Sequence, residues 1–242
     1  MKTELIQFAQ QSFVNTDKLN DIVDTFTNSI MDLADTASDL IKPIKAFRDI
    51  YGAAKRIRFK MFLKSYSKNL HESYESEKEL VEKMNKYLRN NKNLNFVYDT
   101  IDSALNSKSV ICSGILGYLS GKVLTKQIQI GYKELVFLNA LKNLNDFELK
   151  YMIIVFENTD DWSKNQTVSK NEKLKPYLKE CEYTVQKLKT LQVVNEVYGR
   201  PGNPVGLGQA FWGTYLLTEE FSRGFFNLIK ESGFYEEIKN DN

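Results

Sequence analysis

The feature that most constrains the fold is the longest weakly charged apolar stretch of the sequence, at residues 110–124. A helix needs about 20 apolar residues to cross a bilayer, and this stretch is shorter and includes Ser113 and Ser120. We therefore predict a helix that is buried among other helices of the protein. Gly117 and Gly121 are four residues apart within it, a spacing that predicts two close contacts with a neighbouring helix.

Composition limits the functions that need a strong overall charge. The 242 residues include 33 basic and 31 acidic side chains, so no global field favours nucleic acid or an anionic membrane. A hydrophobic content of 42% is enough for one large domain or two small ones. The two cysteines are far apart, and the first residues lack the basic-then-apolar layout of a secretory signal. We therefore expect a cytoplasmic protein.

Two adjoining segments near the N-terminus carry opposite charges. Residues 22–44 have the apolar spacing of an amphipathic helix, and its other face is acidic. Those acids are Asp21, Asp24, Asp32, Asp35 and Asp39. A second helical pattern, through Ile57, Met61 and Phe62, lies in residues 42–68, which hold nine basic residues and one acid. These bases either form a binding face or are neutralised by the acidic segment. The candidates for nucleic-acid binding there are Lys55, Arg56, Arg58, Lys60 and Lys64.

Further helices are predicted before a change of organisation near residue 130. Residues 72–92 read as a polar helix with acids first and bases last, the order that suits the helix dipole. Two more helices are expected at about 94–106 and 109–124. We predict an N-terminal helical domain at residues 1–130 and a second domain at residues 131–242.

The second domain begins with three predicted helices. The first runs through residues 132–144. Its apolar residues are Leu135, Leu138, Leu141 and Leu144. Asn145 or Asp146 then caps a helix with an apolar set of its own. That set is Phe147, Leu149, Ile153 and Phe156. The third helix follows a polar loop and covers about residues 175–192.

The spacing of apolar residues then changes from the period of a helix to the period of a strand. Residues 193–198 and 211–217 are predicted strands joined by a glycine-rich loop, and Thr218 is a suitable N-cap for a closing helix. Three helices, a hairpin and a closing helix form the layout of a winged-helix domain. The predicted fold is therefore mainly α, with an N-terminal helical region followed by a winged-helix-like domain with a small β-hairpin.

Two resemblances accompany this pattern. Residues 188–229 resemble the tail of bacterial winged-helix proteins, in which a hairpin ends in a Leu-Thr pair, here Leu217-Thr218, that starts a Phe-rich helix. More loosely, the C-terminal 110 residues or so resemble uncharacterised bacterial proteins of the abortive-infection-like Abi-alpha type. The abundance of Lys, Asn, Ile and Tyr resembles the coding bias of AT-rich bacterial or phage genomes. These resemblances imply a bacterial or phage setting, with a role in phage defence or its regulation.

The sequence offers no recognisable catalytic centre. His71 is the single histidine and lies among polar residues, so a His-based metal site or catalytic triad has too few members. Cys112 lies in an apolar run, and Glu180 and Glu182 flank Cys181 and disfavour its thiolate. The Glu148-Leu149-Lys150 triplet matches a nuclease signature by letters but lies in a predicted helix. We expect no enzyme activity, no metal and no cofactor.

The favoured function is a non-catalytic protein-interaction module that binds another protein or itself. Phe234 and Tyr235, near the chain end, are the candidate interface residues. The alternative is a DNA-binding winged helix whose third helix enters a major groove. Its candidate contacts are Lys175, Lys179, Lys187, Lys189 and Arg200. A membrane-acting helical effector is the least favoured of the three.

Overall fold

The computed structural model describes residues 53–71, 77–162, 164–195 and 214–240. Within these residues the protein is mainly helical, with nine α-helices and one small antiparallel sheet. The chain divides between Gly131 and Tyr132 into two compact units. The acidic segment at 22–44, the loop between the two predicted strands and Arg200 lie outside the described residues.

The first unit contains four described helices. They are α1 (Ala53–His71), α2 (Glu77–Leu88), α3 (Asn91–Leu105) and α4 (Val110–Thr125). Asn90 accepts a hydrogen bond from the backbone N–H of Lys92 at 2.9 Å and begins α3, and Ser109 begins α4 in the same way through Cys112. Helix α4 is the apolar stretch predicted to be buried.

Helix α4 is surrounded on nearly all sides, as the sequence predicts. Only Val110, Tyr118 and Lys122 of its 16 residues are not buried. The two glycines lie against α1: a methyl group on Gly117 would overlap the carbonyl oxygen of Phe62, and one on Gly121 would lie 2.9 Å from the Cβ of Asn69. The prediction of two close helix contacts at the glycines is therefore confirmed.

The buried face of α1 agrees with only part of the pattern that the sequence predicts. Phe59, Phe62 and Tyr66 are buried, whereas Ile57 is 54% exposed and Met61 is half-buried. The prediction is therefore confirmed at Phe62 and wrong at Ile57. Aromatic residues at positions 59, 62 and 66 keep the three-to-four spacing of one helical face, and they bury more area than Ile57 and Met61.

The second unit begins with two helices at a tight turn. They are α5 (Tyr132–Asn143) and α6 (Asp146–Glu157). Asn145 is the N-cap of α6, and a reciprocal pair of hydrogen bonds joins it to Glu148: the Glu148 N–H donates to the Asn145 side chain at 2.8 Å, and the Asn145 N–H donates to the Glu148 carboxylate at 3.0 Å. The sequence left Asn145 or Asp146 as the cap, and the structure has Asn145 in that position.

The predicted positions of Leu135 and Phe147 on the apolar faces of these helices are wrong. Leu135 is 47% exposed and Phe147 is 50% exposed, whereas both were expected on apolar faces. Leu141 and Leu144 of the predicted series are buried, which confirms that part of it. A residue every third position drifts by about 60° per step around an α-helix, so the whole series cannot stay on one face. The buried side chains of α5 and of the residue that follows it are Val136, Phe137, Ala140, Leu141 and Leu144.

The remaining elements complete the second unit. They are β1 (Gln166–Thr167), two 3₁₀ turns (Val168–Lys170 and Glu172–Tyr177), α7 (Leu178–Thr190), β2 (Thr214–Tyr215), a π-helical turn (Glu219–Arg223), α8 (Gly224–Ser232) and α9 (Tyr235–Asn240). Thr218 accepts hydrogen bonds from the N–H groups of Phe221 and Ser222, which confirms it as the cap of the closing helical segment. The buried face of α7 includes Cys181, Val185 and Leu188.

The small sheet differs from the predicted two-strand hairpin. Strand β2 pairs antiparallel with β1, Gln166 opposite Tyr215 and Thr167 opposite Thr214, and β1 lies in a segment predicted to be loop. The other predicted strand is described only up to Asn195, which forms one bridge to Leu216, while Val193 and Val194 lie in a bend. A two-residue strand whose partner is 47 residues away leaves no periodic signal in the sequence.

Candidate interaction surfaces

The basic candidates on α1 fall into an exposed group and one structural residue. Lys55, Arg56 and Lys64 are exposed, and Lys60 is half-buried. No ion pair joins any of these four to an acidic side chain of the described residues. The predicted alternative, neutralisation by the acidic segment at 22–44, lies outside the described residues. We call Arg56, Lys60 and Lys64, which follow one another at four-residue steps, the basic row.

Arg58 has a different role from its neighbours. Its Nη1 donates to the carbonyl oxygen of Leu105 at 3.5 Å, and its Nε is buried without a hydrogen-bond partner among the described residues. Leu105 is the last residue of α3, whose final turn contains no basic side chain of its own. A positive charge at a helix C-terminus interacts favourably with the helix dipole. Arg58 therefore fastens α1 to the end of α3.

The basic candidates of the second unit are mostly engaged. Lys175 forms an ion pair with Glu172 at 2.5 Å, and Lys189 is half-buried. Lys179 is exposed on α7. Lys187 is half-buried and is described next. Among the candidates on or near α7, Lys179 is therefore the exposed cation that has no ion pair within the described part of the chain.

Lys187 and Glu148 link α7 to the start of α6. The Glu148 side chain is 2% exposed, and the Lys187 Nζ lies 4.0 Å from its Oε1. The same carboxylate already closes the capping box with Asn145. A buried carboxylate needs hydrogen bonds and a compensating charge, and Lys187 supplies the charge. This contact places the half-buried Lys187 ammonium beside the buried carboxylate.

The two predicted interface aromatics lie against other side chains of the same unit. The ring of Tyr235 packs edge-on against Phe226 with centroids 6.0 Å apart, and Lys230 and Lys239 lie over it at 5.2 and 5.6 Å. Phe234 is half-buried. Neither residue is among the strongly exposed apolar side chains of the described chain.

A row of aromatic rings on α6 and before α7 is the most apolar exposed feature of the second unit. Phe147 and Tyr151 have ring centroids 4.6 Å apart, and Tyr151 and Tyr177 have centroids 5.8 Å apart. Phe147 is 50% exposed and Tyr177 is 43% exposed. We call these three residues the aromatic row. Sequence reasoning assigned Phe147 to the core and overlooked Tyr151 and Tyr177, although Phe147 and Tyr151 are one helical turn apart.

The surroundings of the aromatic row are partly acidic. Partial desolvation and the nearby Glu180 carboxylate raise the pKa of Tyr151 above its ordinary value. Tyr183, on the outer face of α7, is a further strongly exposed ring at 56%. Of the six strongly exposed large apolar side chains in the described chain, five belong to this unit, and the other is Ile57.

The two thiols are not arranged for chemistry. Cys112 and Cys181 are both buried. Burial, with Glu180 and Glu182 adding to it, raises the pKa of the Cys181 thiol to about 12. The predictions that Cys112 is buried and that the flanking carboxylates disfavour a thiolate at Cys181 are confirmed. No cluster of three or more His, Cys, Asp or Glu able to hold a metal occurs among the described residues.

No protein-family model, no curated protein and no solved structure matches this chain. None of the described helices is both long enough and apolar enough to cross a membrane.

Proposed function

We propose that this chain is a non-catalytic protein-interaction module whose second unit binds a partner protein through the aromatic row. The observation that carries the proposal is the exposure of Phe147 and Tyr177 beside Tyr151 in one continuous set of rings. Aromatic side chains are enriched in protein interfaces and dominate their energetics, because they bury a large area at a low entropic cost. A set of partly exposed rings of this kind favours a binding surface.

We propose further that the second unit is a winged-helix-like scaffold for this surface. The order of its elements supports the proposal: two helices, a short strand, a third helix, a bridge residue, and a strand that pairs with the first. In this scaffold α7 is the third helix, with one face buried and the other outward. The setting that we propose is the one that the resemblance implies, a bacterial or phage system of defence or its regulation.

Insertion of α7 into a DNA major groove receives less support than a protein partner. Residues 132–242 hold 14 basic and 16 acidic side chains, whereas phosphate contacts dominate DNA affinity and need a basic surface. Lys175 and Lys187 are engaged with Glu172 and Glu148. Tyr183, exposed on the outer face of α7, is equally suited to a protein contact.

Site-specific photo-crosslinking tests the proposal. A benzophenone amino acid replaces Tyr177 in the full chain, expressed in the source organism, and replaces the exposed Asn227 on α8 as the control. The proposal predicts a discrete crosslinked protein, either a partner or a second copy, at position 177 and not at position 227. The proposal would be contradicted if irradiation gave no protein adduct at position 177 or the same adducts at both positions.

A further inference from the structure

We propose that the basic row of α1 binds the phosphate backbone of duplex DNA without sequence preference, independently of the aromatic row. Arg56, Lys60 and Lys64 lie at successive four-residue steps, so their Cα atoms rise by about 6 Å per step along one side of the helix. Arg56 and Lys64 are exposed and Lys60 is half-buried. Three cations in a line match a ligand that is itself a line of negative charges.

The charge around the row supports a polyanionic ligand. Helix α1 holds six basic side chains and no acid. Residues 1–131 hold 19 basic and 15 acidic side chains, and the described residues of the first unit include 14 of these bases and 5 of these acids. The positive charge of this unit is therefore concentrated in its described part, where it raises the local concentration of an anionic partner.

The described residues of the first unit include no strongly exposed ring, which favours a duplex over a single strand. Single-stranded nucleic acids are held by aromatic side chains on which the bases stack. Among the described residues of the first unit, the strongly exposed large apolar side chain is Ile57, which is aliphatic. In a duplex the bases are already stacked, and the phosphates are the part that an exposed row of cations contacts.

The packing of α1 argues against a membrane surface as the ligand. A helix that lies in a bilayer interface buries its apolar face among the lipid chains. The apolar face of α1, with Phe59, Phe62 and Tyr66, is buried within the unit and lies against the glycines of α4. The side left for a ligand carries the basic row, with Ile57 as the strongly exposed large apolar side chain among the described residues of α1.

A salt series with two matched variants tests the inference. One variant is R56Q/K60Q/K64Q, and the control is K86Q/R89Q/K92Q, which removes the same charge from three exposed residues on or near α2 and the start of α3. Binding to a mixed-sequence duplex is measured between 50 and 200 mM salt. Losing three phosphate contacts should make the slope of log affinity against log salt less negative by about 2.7. Over that range of salt, the wild type should therefore lose about 40-fold more affinity than the variant.

The expected result is that the basic-row variant loses this binding, that the control keeps most of it, and that both melt at the wild-type temperature. Four outcomes would overturn the inference. They are no duplex binding by the wild type at 50 mM salt, an equal loss in both variants, equal binding of single strands, and binding to vesicles of anionic phospholipid without binding to duplex.

Discussion

Helices α4 and α7 show how differently the two units use their surfaces. Helix α4 is buried on nearly every side, and the helix that covers its glycines turns a row of cations outward. Helix α7 buries one face, with Cys181, Val185 and Leu188, and leaves Tyr183 exposed on the other. In the first unit the exposed side chains are mainly charged, whereas in the second unit several aromatic rings remain uncovered.

The difference has a physical consequence for binding. Contacts between exposed cations and phosphates release counterions that were bound to the DNA. Added salt makes this release less favourable, so the affinity falls steeply as the salt concentration rises. Burial of aromatic rings depends on the area removed from water, which salt affects little over the same range. Binding at the basic row should therefore weaken with salt while binding at the aromatic row changes little, and the residues of each can be substituted without altering those of the other.

The largest effect is expected from a substitution at the glycine contact in the first unit. Gly117→Leu places a side chain where the Phe62 backbone lies, so we expect the first unit to lose more than about 3 kcal/mol of stability or to fail to fold. Both tryptophans belong to the second unit, so their fluorescence should keep its own unfolding transition while helical circular dichroism falls.

Gly224→Ala in α8 is the matched control for this substitution. Its added methyl would meet only the ends of the Phe137 and Lys133 side chains, at 3.0 and 3.1 Å, and the Lys133 end can move aside. We expect a change of less than about 1 kcal/mol, because alanine also favours a helix. Loss of the tryptophan transition in Gly117→Leu would contradict the view that the units are separate.

A second prediction concerns the interior charge of the second unit. Lys187→Met leaves the buried Glu148 carboxylate without its neighbouring cation, which should lower the free energy of unfolding by about 1–3 kcal/mol. Lys179→Met, on the exposed side of the same helix, should change it by less than about 0.5 kcal/mol. Tryptophan-monitored urea denaturation measures the two changes in unfolding free energy. Equal values would show that Lys187 contributes no more to stability than an exposed residue.

The cysteines report on the opening of each unit, since Cys112 belongs to the first and Cys181 to the second. Neither should react with a thiol reagent at pH 8 in the native protein, and Gly117→Leu should expose Cys112 alone. Burial, with Glu180 and Glu182 adding to it, raises the pKa of the Cys181 thiol from an ordinary value near 9.0 to about 12 in the folded protein. The unfolded state therefore loses this proton first, so stability should fall as the pH rises above about 9. A Cys181→Ser variant should flatten that decline.

Only a small effect on stability is expected at the aromatic row itself. Phe147→Ala and Tyr177→Ala remove half-exposed rings, so each should change the unfolding free energy by less than about 1 kcal/mol. Loss of an interface anchor, in contrast, commonly reduces affinity by tenfold or more. A large destabilisation measured by urea denaturation would mean that the row holds the unit together and is not a binding surface.

Local signals in the sequence predict the helices and their starts well. The sequence predicts Thr218 as one cap and Asn145 or Asp146 as the other, because a short polar side chain before an apolar helical pattern is typical of an N-cap. Gly117 and Gly121 predict the close helix contact for a similar reason. Each of these signals depends on residues within a few positions of one another.

The faces of the helices and the sheet were harder to predict. Leu135 and Ile57 are exposed although their types suggest a core position, since neighbouring residues with better spacing fill the interior. Strand β1 exists because of a distant partner and has no pattern of its own. The aromatic row joins residues 147 and 177 through Tyr151, and no spacing along the chain indicates that they meet.

The most direct test combines the two surfaces in one comparison. Two quantities are measured: crosslinking from position 177 and duplex binding across the salt series. The proteins compared are the otherwise wild-type chain, Phe147→Ala and R56Q/K60Q/K64Q. The account predicts that Phe147→Ala loses the protein adduct and keeps duplex binding, while the basic-row variant shows the reverse. If either variant abolished both activities, or if the adduct survived Phe147→Ala unchanged, the assignment of a protein partner to the aromatic row would be contradicted.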